Sequence, residues 1–134
     1  MTVAYQLEPD LSTTEFRSVL LASTLGQRRP IADEARLDAM LRNADVIVTA
    51  RDRGALVGVS RAISDRAFAT YLSDLAVAET HQYRGIGKRL IRETHLSAGL
   101  TTTLYLVAAP AALAYYAKIG MTPNPECWKI DRVA

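Results

Sequence analysis

The stretch Tyr71-Leu-Ser-Asp-Leu-Ala-Val-Ala-Glu-Thr-His-Gln-Tyr-Arg-Gly-Ile-Gly-Lys-Arg-Leu90 decides the reading of this chain. It opens as an apolar, β-compatible run and passes through a polar turn. It then reaches Arg84-Gly85-Ile86-Gly87, where a helical pattern of Ile86, Leu90 and Ile91 sets in. A strand, a glycine loop and a helix N-terminus in succession make an anion site. The first turn of a helix leaves backbone N–H groups unpartnered and carries about half a positive charge. Gly85 and Gly87 bring no side chain that would hold a phosphate away from those groups. The expected ligand is a phosphate or a pyrophosphate.

The frame around this stretch is that of one ordinary globular domain, residues 1–134, of a size that buries a single core. A formal charge of +2 with scattered arginines argues against nucleic acid as a partner. A single cysteine, Cys127, excludes an intramolecular disulfide. Residues 1–10 lack the basic region and apolar run of a signal peptide, and no apolar stretch approaches the roughly 20 residues that span a bilayer. The expectation is a cytoplasmic protein with no membrane partner.

Upstream, residues 2–7 alternate as a first strand. Ser12 and Glu15 have the spacing of a capping box, with Leu11 and Phe16 as its hydrophobic staple, and predict a helix that runs to Gly26. A polar loop, Gln27-Arg28-Arg29-Pro30, follows. A second helix is predicted over residues 31–42, with Asp33 and Glu34 in its first turn and Arg42 at its end. Strands at residues 46–50 and 55–63 flank an Asp52-Arg53-Gly54 hairpin turn. Downstream, Gly99 stops the central helix, residues 101–107 read as a strand, and residues 108–119 read as a short helix with Pro110 in its first turn and Gly120 beyond its end. Trp128-Lys129-Ile130 reads as a closing edge strand. The order predicts a mixed α/β domain with an antiparallel meander and a parallel strand pair joined by a crossover helix.

Spacing narrows the phosphate ligand. A Walker A loop needs a glycine five residues before Gly87 and a hydroxyl residue after Lys88, where Gln82 and Arg89 stand. The dinucleotide fingerprint needs a small residue where Leu90 stands. What fits is Gln82-Tyr83-Arg84-Gly85-Ile86-Gly87, which resembles the Arg/Gln-x-x-Gly-x-Gly/Ala loop of the GNAT superfamily of N-acetyltransferases. Asp74-Leu75-Ala76-Val77 on the preceding strand, Tyr115-Tyr116-Ala117-Lys118-Ile119-Gly120-Met121 downstream and the order of elements carry the same resemblance.

The resemblance implies a mainly antiparallel central sheet flanked by helices, with a β-bulge and a splayed parallel strand pair around acetyl-CoA as acyl donor. It implies that the strand Leu75-Ala76-Val77 binds the cofactor, with Leu75 and Val77 holding the pantetheine arm and the acetyl carbonyl through backbone atoms, as an added strand would. Gln82, Tyr83, Arg84, Gly85, Ile86, Gly87 and Lys88 would wrap the pyrophosphate. Tyr116 would give a proton to the leaving thiolate, its spacing to Gly120 favouring it over Tyr115. The implied reaction is direct attack of a primary amine, small molecule or peptide, on the thioester in a ternary complex.

The family's glutamate after the next strand has no counterpart at Val107-Ala108-Ala109, which leaves Asp74, Glu79 or a water chain as the base. An acyl-CoA-binding sensor or interaction module without efficient catalysis is the alternative. Dimerisation is common in the family. His81 and His95 read as surface residues, because no second ligand set accompanies them. Cys127 reads as a half-buried residue of an edge strand and not as a nucleophile. The acceptor is expected near residues 27–30, where the loop is basic while Asp33, Glu34 and Asp38 supply carboxylates.

Overall fold

A computed structural model describes residues 2–133. Five strands lie in the order β1-β2-β3-β4-β5: β1 (Val3–Leu7), β2 (Val46–Asp52), β3 (Ala55–Ser64), β4 (Ala69–Val77) and β5 (Thr103–Tyr105). The first three pairings are antiparallel and the β4–β5 pairing is parallel. The expected mixed sheet with one parallel pair is therefore present. Four helices flank it: α1 (Thr13–Ala22), α2 (Glu34–Arg42), α3 (Ile86–Ala98) and α4 (Leu113–Lys118). Residues 1 and 134, the outermost of the expected domain, lie outside the described span.

Strand alternation splits the core in two. Ile47, Val59 and Ala76 face α1 and α2, where they meet Leu11, Phe16, Val19, Leu20, Leu37 and Leu41. Val46, Val48, Ala50 and Ala62 face the other way, against Ile86, Leu90 and Ala98 of α3. Full burial of a large apolar side chain is worth roughly 1.5–3 kcal/mol, so these two layers clamp the sheet from both faces and hold β4 between them.

Several boundaries move from their expected places. Ser12 Oγ accepts the Glu15 N–H at 3.1 Å, but the Glu15 carboxylate pairs with Arg51 at 2.8 Å and does not return to the cap. The first helix ends at Ala22, because Ser23 is extended and accepts the Leu25 N–H, which starts a separate 3-10 turn, Thr24–Arg28, that contains Gly26. The second helix begins at Glu34; Asp33 is its cap and accepts the Arg36 N–H at 3.1 Å.

The strand expected over residues 101–107 keeps only Thr103–Tyr105, since the backbone of β4 offers three register partners. The helix expected over 108–119 divides into a 3-10 turn, Pro110–Ala112, and α4. No closing strand forms at Trp128-Lys129-Ile130: Trp128 and Ile130 stand 92% and 100% exposed, with no sheet edge beside them. Cys127 is exposed for the same reason, not half-buried.

Candidate active site

The geometry begins where β4 loses its neighbour. Pairing with β5 ends at Tyr71–Tyr105, while pairing with β3 continues from Thr70 to Val77. A bulge at Ser73, between the Arg61–Asp74 and Ala62–Leu72 pairs, bends the strand at the point of separation. From Leu72 onward one edge of β4 faces a cleft of about 430 Å3. The cleft is walled by the α1–α2 connection, the glycine loop and residues from the 106–116 segment. The splay and the bulge expected from the sequence are both here, although the bulge lies two residues ahead of Leu75.

At one end of the cleft the glycine loop delivers α3. Gly85 caps the helix at φ 81° and ψ 6°, a left-handed conformation that a side chain resists. Tyr83 adopts φ 63° as well. The first intrahelical bond of the helix start runs from the Arg89 N–H to the Gly85 carbonyl, so the preceding N–H groups have no partner within the helix. Gly87 has a different reason to lack a side chain: an added Cβ would meet the Tyr115 Oη at 2.8 Å. The Lys88 backbone N–H is close enough to that oxygen to oppose the rise in its pKa. The oxygen occupies the kind of position a phosphate oxygen takes at a helix N-terminus.

Of the expected binding residues, Leu75, Ala76, Val77, Gln82, Tyr83, Gly85, Ile86 and Gly87 line the cleft; Arg84 and Lys88 lie outside its lining. Ala76 turns its side chain into the core at 2% exposure and pairs with Val59 of β3, so the outward-facing main-chain groups of this stretch are those of Leu75 and Val77. The Gln82 amide donates to the Val77 carbonyl at 3.1 Å, a link between strand end and glycine loop that spacing alone does not reveal.

Tyr116 also lines the cleft. Its ring stands edge-on to Tyr115, with centroids 5.3 Å apart at 76°. Burial first, then the neighbouring Tyr115, raises the Tyr116 pKa above the ordinary phenol value, so the hydroxyl keeps its proton at neutral pH. Burial also raises that of Tyr115, against the opposing Lys88 N–H.

The carboxylates resolve differently. Asp74 is fully buried and bonds both Arg29 Nε and Arg61 Nε. Arg61 adds the Ser73 Oγ at 2.9 Å, and Arg29 the Ser73 carbonyl at 2.8 Å. Asp74 thus points away from the cleft and anchors the bulge, and Glu79 is not part of the lining. Neither histidine is a bare surface residue: His81 Nε2 meets Asp52 Oδ2 at 2.9 Å and His95 Nε2 meets the Thr102 carbonyl at 2.8 Å. No group of three metal-binding side chains occurs among the described residues.

An open strand edge runs into a glycine-capped helix start along one cleft. The sequence profile of the acetyltransferase (GNAT) domain matches residues 42–122, and the chain belongs to that family. Its members use acetyl-CoA as donor. An uncharacterised N-acetyltransferase of Pyropia yezoensis, ycf52, is 27% identical over an alignment of 105 residues that covers 74% of this chain and 59% of that relative's length. The GNAT family protein SP0256 of Streptococcus pneumoniae superposes with a TM-score of 0.73 at 19% identity, covering 99% of this chain and 98% of that one. Aminoglycoside N-acetyltransferase AAC(6')-Iy, solved with CoA, gives 0.75 at 13% identity, covering 99% and 96%. Among the described residues, no helix is long and apolar enough to cross a membrane.

Proposed function

We propose that this chain transfers an acetyl group from acetyl-CoA to a primary amine by direct attack in a ternary complex. The observation that carries the proposal is the juxtaposition around one cleft of an unpaired β4 edge, the N-terminus of α3 and the protonated Tyr116. The fit to the donor is chemical: the α3 N–H groups suit a pyrophosphate, and the free backbone of Leu75 to Val77 suits an amide-bearing arm.

Bound acetyl-CoA supplies the acetyl group as an activated thioester. Leu75 and Val77 hold the arm by main-chain hydrogen bonds on either side of Ala76, and Gln82 turns from the Val77 carbonyl where that acceptor is needed. Gln82 to Lys88 surround the pyrophosphate, with Arg84 and Lys88 adding charge from outside the lining. As the amine nitrogen forms its bond to the carbonyl carbon and the carbon–sulfur bond breaks, Tyr116 gives its proton to the sulfur and regains one from solvent. The proton lost by the nitrogen goes to water, because Asp74 is held by two guanidiniums.

Thermal denaturation with and without acetyl-CoA, followed by thiol release against an amine panel, tests the proposal. A rise in Tm with cofactor is expected by mass action, together with amine-dependent thiol release. No rise at saturating donor would remove it, and a rise without thiol release would point to a binding module.

A further inference from the structure

The acceptor half of the cleft is cationic and holds no acid. Arg28 and Arg29 line it from the α1–α2 connection, and among the described lining residues there is no aspartate or glutamate. The nearby carboxylates are turned to other work: Asp33 caps α2 and Asp38 pairs with Arg42 and Thr13. The buried cluster behind the cleft sets two guanidiniums, Arg29 and Arg61, against the single carboxylate of Asp74, so it too is left with one positive charge.

The Arg29 charge lies away from the α3 N-terminus. Arg29 bonds the Ser73 carbonyl, and Ser73 stands four strand steps of about 3.3 Å each before Val77, which precedes the glycine loop. Two of the five N–H donors of Arg29 remain after its bonds to Asp74, Ser73 and the Arg28 carbonyl. The Arg28 side chain is exposed and makes no hydrogen bond or ion pair among the described residues. A planar fork with spare donors beside a second, uncommitted guanidinium is matched to a carboxylate.

We infer that the acceptor is an amino acid whose own carboxylate is held by Arg28 and Arg29 while its amine meets the thioester. This rests on the acetyl-transfer reading of the same cleft. The inference also answers how the amine becomes reactive without a carboxylate base. Like charges nearby disfavour an ammonium, so the field of Arg28 and Arg29 lowers the amine pKa and enlarges the neutral, nucleophilic fraction. The same field repels polyamines and other polycations, whose additional ammonium groups find no acid in the cleft.

The test is a comparison of kcat/KM, with saturating acetyl-CoA, for free α-amino acids, the matching carboxamides and spermidine, in the unaltered protein and in Arg28→Ala and Arg28→Lys. Arg28 is chosen because its side chain is exposed and no hydrogen bond or ion pair among the described residues depends on it. Free acids should exceed their carboxamides by about tenfold or more. Arg28→Ala should collapse that ratio by raising KM for the acids alone, with Arg28→Lys recovering part of it, and the Tm rise with acetyl-CoA should persist in both variants. Carboxamides or spermidine as the better acceptors, no acid turned over while acetyl-CoA still raises Tm, or an unchanged ratio in Arg28→Ala would each overturn the inference. Absence of the Tm rise in the unaltered protein would overturn the acetyl-transfer reading, and this inference with it.

Discussion

Gly87 and Tyr115 meet at the N-terminus of α3, where a Cβ on residue 87 would lie 2.8 Å from the Tyr115 Oη. The obstructing atom is the far end of a side chain that can swing aside, so Gly87→Ala should change stability by no more than about 1 kcal/mol. Donor binding should suffer more, because the methyl group stands among the N–H groups that the phosphate needs; loss of one charge-assisted hydrogen bond, about 1.5–3 kcal/mol, weakens binding roughly tenfold to a hundredfold. Gly85→Ala should behave differently. Its left-handed φ of 81° makes a side chain cost about 1–2 kcal/mol in folding, although nothing lies within 4 Å of the added Cβ. Urea denaturation and calorimetric titration with acetyl-CoA on both variants separate the two roles.

Asp74 holds Arg29 and Arg61 together under the Ser73 bulge. Removal of the buried partner leaves two guanidiniums facing each other, and Asp74→Ala should cost about 3–5 kcal/mol in urea denaturation. A variant that keeps full stability would show that the cluster does not support the strand, and would return Asp74 to consideration as a base.

Acid should loosen the opposite edge of the sheet. Glu8 is held at a pKa of about 2, from an ordinary 4.5, first by the Arg51 guanidinium and, after the opposing cost of burial, by the Thr49 hydroxyl. A depressed carboxylate pKa stabilises the fold above the unfolded value, so this contribution is complete above about pH 4.5 and is lost as pH falls toward 2. Glu8→Gln should therefore lose stability at pH 7 and show a flatter decline between pH 5 and pH 3 than the unaltered chain, as read by urea denaturation at each pH.

Cys127 is exposed on a stretch without regular structure. It should react with a thiol reagent in the native protein at the rate of a small-molecule thiol, and Cys127→Ala should leave turnover within about twofold. A protected thiol, or a large loss of turnover, would mean that the 121–133 segment packs on something.

Most of the fold was legible because it is carried by local signals. Ser12 capping, the Arg53-Gly54 turn and the periodicity of Ile86 and Leu90 each depend on neighbours in sequence, and each appears where it was expected. The glycine loop was legible for the same reason. What did not show in the sequence depends on distant partners. Nothing in Gln27-Arg28-Arg29-Pro30 reveals that Arg29 reaches Asp74, forty-five residues on. Nothing in Tyr115-Tyr116 reveals that the Tyr115 hydroxyl comes to stand over Gly87. The β-branched run over 101–107 promised more strand than β4 could pair once the bulge at Ser73 turned it away. Trp128 and Ile130 have the residue types of a strand, but propensity without a neighbouring edge forms none.

The two adjacent tyrosines offer the sharpest discrimination. Tyr116→Phe and Tyr115→Phe, each assayed for kcat and for the Kd of acetyl-CoA, separate a proton donor from a side chain that shares the phosphate's place. A positioned acid contributes about 10²–10⁴-fold, so Tyr116→Phe should lower kcat at least a hundredfold with Kd unchanged, while Tyr115→Phe keeps kcat within about threefold. Full kcat in Tyr116→Phe, or its loss in Tyr115→Phe alone, would contradict the assignment of Tyr116 as the acid that releases the thiol.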